Sequence, residues 1–433
     1  MSNKAPVAAA HAETPKYAWV VLFALYMATL AAPLNMFKLP PVMTTVVSAF
    51  NLTSNQSGDL MSVFSIMGFV LAIPAGFILK RFGIKLTVLF SVGSIVVGTA
   101  LGAMANVGAG WMLFAGRFIE GIGMGLVMVA APLAISIWFP AHNRAFPTGI
   151  WATCVGVGNV VTLIAAPSMA VAYGWQSVWW AGAIFAVVAF ILFAVLFRMP
   201  RPDEMPEAPA PPAAAGEEAP PSLASGMRNI NYWLIGIGFG VYNLVVMAMC
   251  TFLPTFLELK RGYLLTYEQG IFMNASAVTA LVMFASIFSA PGGGLISDKL
   301  GSRKAVVLVS YAVMTLTFLV PFSVTEWQIP VYMFVFGLFG GPIAPILLAA
   351  VPEVSKRPQL IGIGMACSAL CQNAGMFIGP SLFTRIVDFY GGYVRNAEGL
   401  TIALDAQGWA TAGYWMIPIS IIGMIAVWRI KVR

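Results

Sequence analysis

The chain has 433 residues, 60% hydrophobic and 9% charged, with mean hydropathy +0.87 and a formal net charge of +7. A soluble domain carries about a quarter charged residues, so an ordinary water-soluble fold is excluded and only lipid can accept this much apolar surface.

A span needs about 20 apolar residues to cross roughly 30 Å of hydrocarbon. Twelve such segments follow in chain order. Helices 1 to 6 are expected near 17–47, 56–79, 84–107, 111–139, 145–171 and 175–198, and helices 7 to 12 near 229–258, 266–297, 303–324, 327–352, 359–388 and 408–430. The expected fold is an all-α membrane protein of twelve transmembrane helices in two six-helix, pseudo-symmetric halves. An N-terminal bundle (17–198) and a C-terminal bundle (229–430) are joined by a Pro-, Ala- and Glu-rich linker over 199–228, a composition that cannot bury a core. The tail, 1–16, has no apolar segment followed by a small-residue cleavage site, and is read as a cytoplasmic extension.

The basic residues sort by side. With both termini inside, Lys16, Lys80, Arg81, Lys85, Arg144, Arg198, Arg201, Arg228, Lys299, Arg303, Lys304, Lys356, Arg357, Arg429, Lys431 and Arg433 face the cytoplasm, whereas Lys260, Arg261, Arg385 and Arg395 face the opposite side. That asymmetry is the positive-inside pattern and points to a bacterial-type inner (plasma) membrane with cytoplasmic termini. It also accounts for the net charge without a nucleic-acid partner. Cys154, Cys250, Cys367 and Cys371 lie within spans, and the histidines, His11 and His142, lie outside them, so neither a metal site nor a cofactor is expected.

Two turns repeat a half-chain apart. Gly76 to Lys85 contains Lys80, Arg81 and Gly83, and Gly294 to Lys304 contains Asp298, Lys299, Gly301 and Arg303. In spacing and in their place after helices 2 and 8, these turns resemble the signature of the major facilitator superfamily, Gly-x-x-x-Asp-Arg/Lys-x-Gly-x-Arg/Lys-Arg/Lys. The second copy fits throughout; the first has Lys80 in place of the acid. Arg117 to Gly125 in helix 4 is similar to the family's Arg-x-x-x-Gly pattern, and Gly149, Gly156, Gly158 and Pro167 are a loose version of its Gly/Pro helix 5. The resemblance implies a monomeric carrier whose halves rock about a site near the bilayer middle.

Charge deep in a span costs at least about 2.5 kcal/mol, so it faces a cavity or a partner. Lys38 in helix 1 and Arg117 and Glu120 in helix 4 are such residues. Arg117 and Glu120, three apart, share a helical face. If Glu120 neutralises Arg117, Lys38 is left as an uncompensated cation that an anionic substrate would satisfy; the other reading has Lys38 reaching the outer headgroups. Pro40 and Pro41 break the helix beside it. Glu120, the acid deepest within a span, is the candidate for proton coupling in a symport or antiport cycle.

Polar residues of the remaining cavity-type helices complete the substrate-binding candidates: Asn159, Tyr242, Asn243, Asn274, Gln372 and Asn373, each of which can instead bond a neighbouring helix. Gly340-Gly341-Pro342 and Pro345 predict a bend in helix 10.

The run Gly156-Val157-Gly158-Asn159 resembles part of the helix 5 signature of nitrate and nitrite porters, but helices 2 and 8 lack the central arginines that resemblance implies. Helix 1 is similar to organic-anion and monocarboxylate branches in its basic residue, with Phe37 where an Asp commonly precedes it. Export of amphipathic drugs is the rival within transport, since the many Met and aromatic residues suit a greasy pocket. No catalytic His, Cys or carboxylate constellation and no phosphate loop supports an enzyme. The reading is a carrier of a small, anionic solute in contact with membrane lipid.

Overall fold

The computed structural model describes residues 14–431 except 73, 141–142, 144, 202–203, 205–226, 265–266, 268–269, 320–326, 356–359, 392, 396–400 and 405. Most of the tail and linker, with His11, His142, Arg144, Lys356, Arg357 and Arg433, therefore lie outside the described residues.

Twelve helices, several of them broken, follow in order among the described residues. Helix 1 runs Lys16–Met36, turns through Pro40–Val42 and resumes at Met43–Phe50. Helix 2 comprises Ser54–Leu71, started by a reciprocal cap of the Thr53 and Gln56 side chains, and a second piece that begins at Pro74 and ends at Gly83. There the chain reverses with φ +75°, a conformation that costs glycine little, and helix 3 continues to Ala103. Helix 4 is Trp111–Trp138, helix 5 comprises Ala145–Ala152 and Cys154–Tyr173, and helix 6 is Gln176–Leu196.

In the second half, helices 7, 8 and 9 span Ile230–Arg261, Ala275–Leu300 and Arg303–Thr317. Helix 10 is split into Gln328–Gly340 and Ile343–Val354, as the Gly-Gly-Pro run predicts. Helices 11 and 12 are Ile361–Tyr390 and Ala406–Arg429. A short antiparallel hairpin, Tyr393–Arg395 with Thr401–Leu404, joins them and is absent from the sequence reading.

Ten helices among the described residues are long and apolar enough to cross a membrane. Helix 2, which opens on Ser, Asn, Gln and Asp, and the fifteen-residue helix 9 fall short of that measure. Large apolar side chains such as Phe77, Ile184, Val195, Phe288 and Trp428 point outward in the pattern of a lipid-facing surface.

Glycines bring helices within the N-terminal half together. A side chain at Gly98 would strike the carbonyl of Gly116, and one at Gly123 would strike that of Ser91 and the Ile95 side chain, so helices 3 and 4 touch along their backbones. The helix 4 glycines are thus packing residues. The two halves meet where helix 2 packs on helix 11 and helix 5 on helix 8.

Candidate functional site

Helix 1 must break because of its own prolines. The carbonyls of Met36 and Phe37 would accept from residues 40 and 41, but Pro40 and Pro41 have no N–H to give. Arg117 of helix 4 supplies a donor to one of them, Nη2 donating to the Met36 carbonyl at 3.0 Å, and its Nη1 donates to the neighbouring Asn35 carbonyl at 2.6 Å. Its guanidinium also lies 4.7 Å from the centre of the Phe64 ring.

Glu120 then holds both cations. Its Oε1 accepts from Lys38 Nζ at 2.5 Å and its Oε2 from Arg117 Nη1 at 3.1 Å. Lys38 also donates to Asn35 Oδ1 at 3.0 Å and sits 5.0 Å from the Trp179 ring, while the Thr99 hydroxyl lies 2.9 Å from Glu120. All three ionised side chains are at most 1% exposed. Here the sequence reading is corrected: Lys38 is neither uncompensated nor directed to headgroups, because the break in helix 1 turns its ammonium inward onto Glu120. Two cations share one carboxylate, so the cluster keeps one formal positive charge, and Arg117 Nε has no partner.

The side of the bundle that carries Lys16 and Lys431 is called the terminal side, and the opposite side the far side. A cavity of about 730 Å³ lies between the halves, lined by Gly149, Thr153, Val155 and Gly156 of helix 5, Met283, Ser286, Ile287, Pro291, Gly294, Ser297 and Asp298 of helix 8, and Gly341, Pro345, Ile346 and Leu348 of helix 10. It extends from mid-helix to Asp298 and Arg303 at the terminal-side ends. Arg303 is turned by an ion pair to Glu353 at 2.8 Å. Backbone spacing follows the same gradient. Mid-helix Gly68 abuts Asn373 of the other half, whereas Gly76, Gly149, Gly294 and Gly362, near the terminal side, have open space beside them.

At the far side the halves are bonded. Asp59 of helix 2 accepts from Arg385 of helix 11 at 2.9 and 3.4 Å and from the Ser381 hydroxyl at 2.6 Å. The Ser381 N–H donates to Ser62 Oγ at 3.2 Å, Asn55 donates to Asp388 at 3.1 Å, and Thr44 of helix 1 donates to Glu258 of helix 7 at 2.8 Å. Tyr267 donates to the Ile164 carbonyl at 2.7 Å.

None of the eight substrate-binding candidates lines the cavity. Lys38 and Arg117 are in the buried cluster. Asn159 is fully buried one turn beyond Val155 and Gly156, with neither side-chain heteroatom partnered. Tyr242 packs against Gly340 of helix 10, and the Asn243 and Asn373 amides donate to carbonyls one turn back on their own helices. Gln372 is half-buried on helix 11. Asn274, expected within helix 8, is instead its cap, accepting from Ala277 N–H at 2.9 Å. Of the turn residues, Gly294, Asp298 and Arg303 reach the cavity, and Gly301 ends helix 8 with φ +62°. Gly76 and Arg81 lie where helix 2 approaches its end at Gly83.

The sequence reading missed the far-side contacts. It placed Arg385 on the side opposite the cytoplasm but passed over Asp59, whose signal is its position at the start of helix 2, level with the end of helix 11.

Duplicated six-helix bundles facing each other across a cavity define a carrier architecture. The Major Facilitator Superfamily model matches residues 25–285 and 272–433, and the chain belongs to that family of transporters. It is 26% identical over 406 residues to a hexuronate transporter of Bacillus subtilis (strain 168), covering 88% of this chain and 92% of that protein. A 2-nitroimidazole transporter of Escherichia coli (strain K12) is 23% identical over 371 residues, 84% of this chain and 86% of that protein. In fold the chain is similar to a bacterial homolog of the human lysosomal transporter Spinster, crystallised in an inward-facing and occupied conformation, with TM-score 0.73 and 16% identity over 96% of this chain and 97% of that one.

Proposed function

We propose that this protein is a secondary active transporter that moves a small anionic solute across the plasma membrane by alternating access, with the terminal side in the cytoplasm and the structure in an inward-open state. The observation that carries this reading is the interface between the halves, which is bonded at its far-side ends and parted into a cavity of about 730 Å³ toward the terminal side. Rocking two rigid bundles would exchange those conditions. The structural relative, crystallised in an inward-facing conformation, supports the assignment of state.

Two features favour an anion. The cluster of Lys38, Arg117 and Glu120 leaves one positive charge buried in the N-terminal half, and the hexuronate transporter carries an anion by name. A nitrate-type site has less support, since the described parts of helices 2 and 8 contain no arginine away from their terminal-side ends. Proton coupling through Glu120 has little geometric support, because both its oxygens are committed to cations within one half.

A second reading, export of amphipathic compounds, is favoured by the apolar wall of Val155, Met283, Ile287, Ile346 and Leu348 and by the 2-nitroimidazole relative. A thermal-shift panel separates the two. A ligand at a hundred times its Kd stabilises the folded state by about 2.7 kcal/mol, so hexuronates and other small carboxylates should raise the unfolding temperature of the purified protein. Stabilisation by lipophilic cations alone would overturn the anion reading.

A further inference from the structure

We propose that Asp59 and Arg385 form a latch that holds the far-side gate shut, and that this pair sets the balance between inward-open and outward-open states. The proposal rests on the alternating-access reading above. Asp59 belongs to the first half and Arg385 to the second, so the bond exists only while the far-side ends of helices 2 and 11 touch. The carboxylate engages both terminal nitrogens of the guanidinium and also accepts from Ser381, which is itself bonded to Ser62 through its N–H and hydroxyl. Two-nitrogen engagement fixes the relative angle of the helices as well as their distance. Asn55 and Asp388 extend the seam one turn outward.

The seam is tight below these polar groups. A Cβ at Gly58 would overlap the Thr384 hydroxyl and approach the Pro380 carbonyl to 2.8 Å. Yet the ion pair itself is half-exposed, at 53% and 37%. A pair of that kind contributes little to folding but, placed across a gate, it acts on the state equilibrium alone, by about fivefold for a bond at the upper end of the exposed range.

Ser62→Cys in the seam reports the state, by its alkylation with a membrane-impermeant maleimide added to intact cells. The expected result is protection in the otherwise wild-type background and labelling about fivefold faster with Asp59→Asn or Arg385→Gln. The exchange Asp59→Arg with Arg385→Asp should restore protection, an outcome that impaired folding cannot produce. Gly58→Leu serves as a wedge that forces the seam apart. If Gly58→Leu is labelled and the charge variants are not, the latch is overturned while alternating access stands. If Gly58→Leu also stays protected, the underlying reading falls with it.

Discussion

Two sets of charged and polar side chains occupy neighbouring depths in this molecule and act on different objects. Lys38, Arg117 and Glu120 belong to one half, are sealed from solvent and close on each other and on the carbonyls of a broken helix. Asp59, Arg385, Asn55 and Asp388 belong to both halves, are partly exposed and close only across the interface. The first set holds the shape of a bundle; the second holds the position of one bundle against the other. Removing charge from the first should therefore cost stability, and from the second, state.

The sharpest break of this comparison is Glu120→Ala, which leaves two buried cations without their carboxylate. Loss of one partner from a buried pair costs about 3–5 kcal/mol, so the variant should yield little monodisperse protein in size-exclusion chromatography. Yield and melting temperature equal to wild type would remove the cluster from the scaffold. Arg117→Lys should follow, with a cost of about 2 kcal/mol, because a single ammonium nitrogen lacks the planar two-nitrogen fork that reaches Met36 from Nη2 and Asn35 and Glu120 from Nη1. Its melting curve should fall between those of wild type and Glu120→Ala.

Asp59→Asn sits on the other side of the comparison. The melting temperature should change by no more than about 1 kcal/mol allows, while transport kinetics change with the population of states. A large loss of folded protein would move Asp59 into the scaffold set. The smallest effect is expected from Arg198 and Glu204, which pair at 2.5 Å where the linker begins, beyond helix 6 and away from both clusters. The hydrogen bond from Arg198, joined by one from the Arg201 backbone, holds the Glu204 carboxyl down at about 2 from its ordinary 4.5. Since the folded value is depressed, this contact persists above pH 4.5 and is lost as pH falls through about 2. Glu204→Gln should accordingly leave uptake unchanged between about pH 5 and 8, measured as initial rates in proteoliposomes.

Much of the architecture was legible because hydropathy and punctuation agree. Apolar runs gave the passes, Gly83 and Gly301 mark the repeated turns, and Gly340-Gly341-Pro342 marks the break in helix 10. The site was less legible. Lys38, Arg117 and Glu120 stood out as charges in apolar sequence, but which cation takes the carboxylate depends on how a broken helix turns its side chains, and 82 residues separate Lys38 from Glu120. The far-side seam was harder still. Asp59 and Arg385 are 326 apart and each is ordinary at a helix end; only the docking of the halves makes them partners. Asn159, read from sequence as a substrate-binding candidate or a bond to a neighbouring helix, is buried in helix 5 and its heteroatoms meet no protein partner.

The central claim, that the two bundles rock as units between a far-side contact and a terminal-side contact, is tested most directly by paired distances in one membrane preparation. Spin labels at Val107→Cys with Phe389→Cys report the far side, and at Phe146→Cys with Leu295→Cys the terminal side, all four positions being exposed. On introduction of Asp59→Asn, the far-side distance should lengthen and the terminal-side distance shorten together. Distances that both lengthen, or a far-side change with the terminal side fixed, would contradict the account.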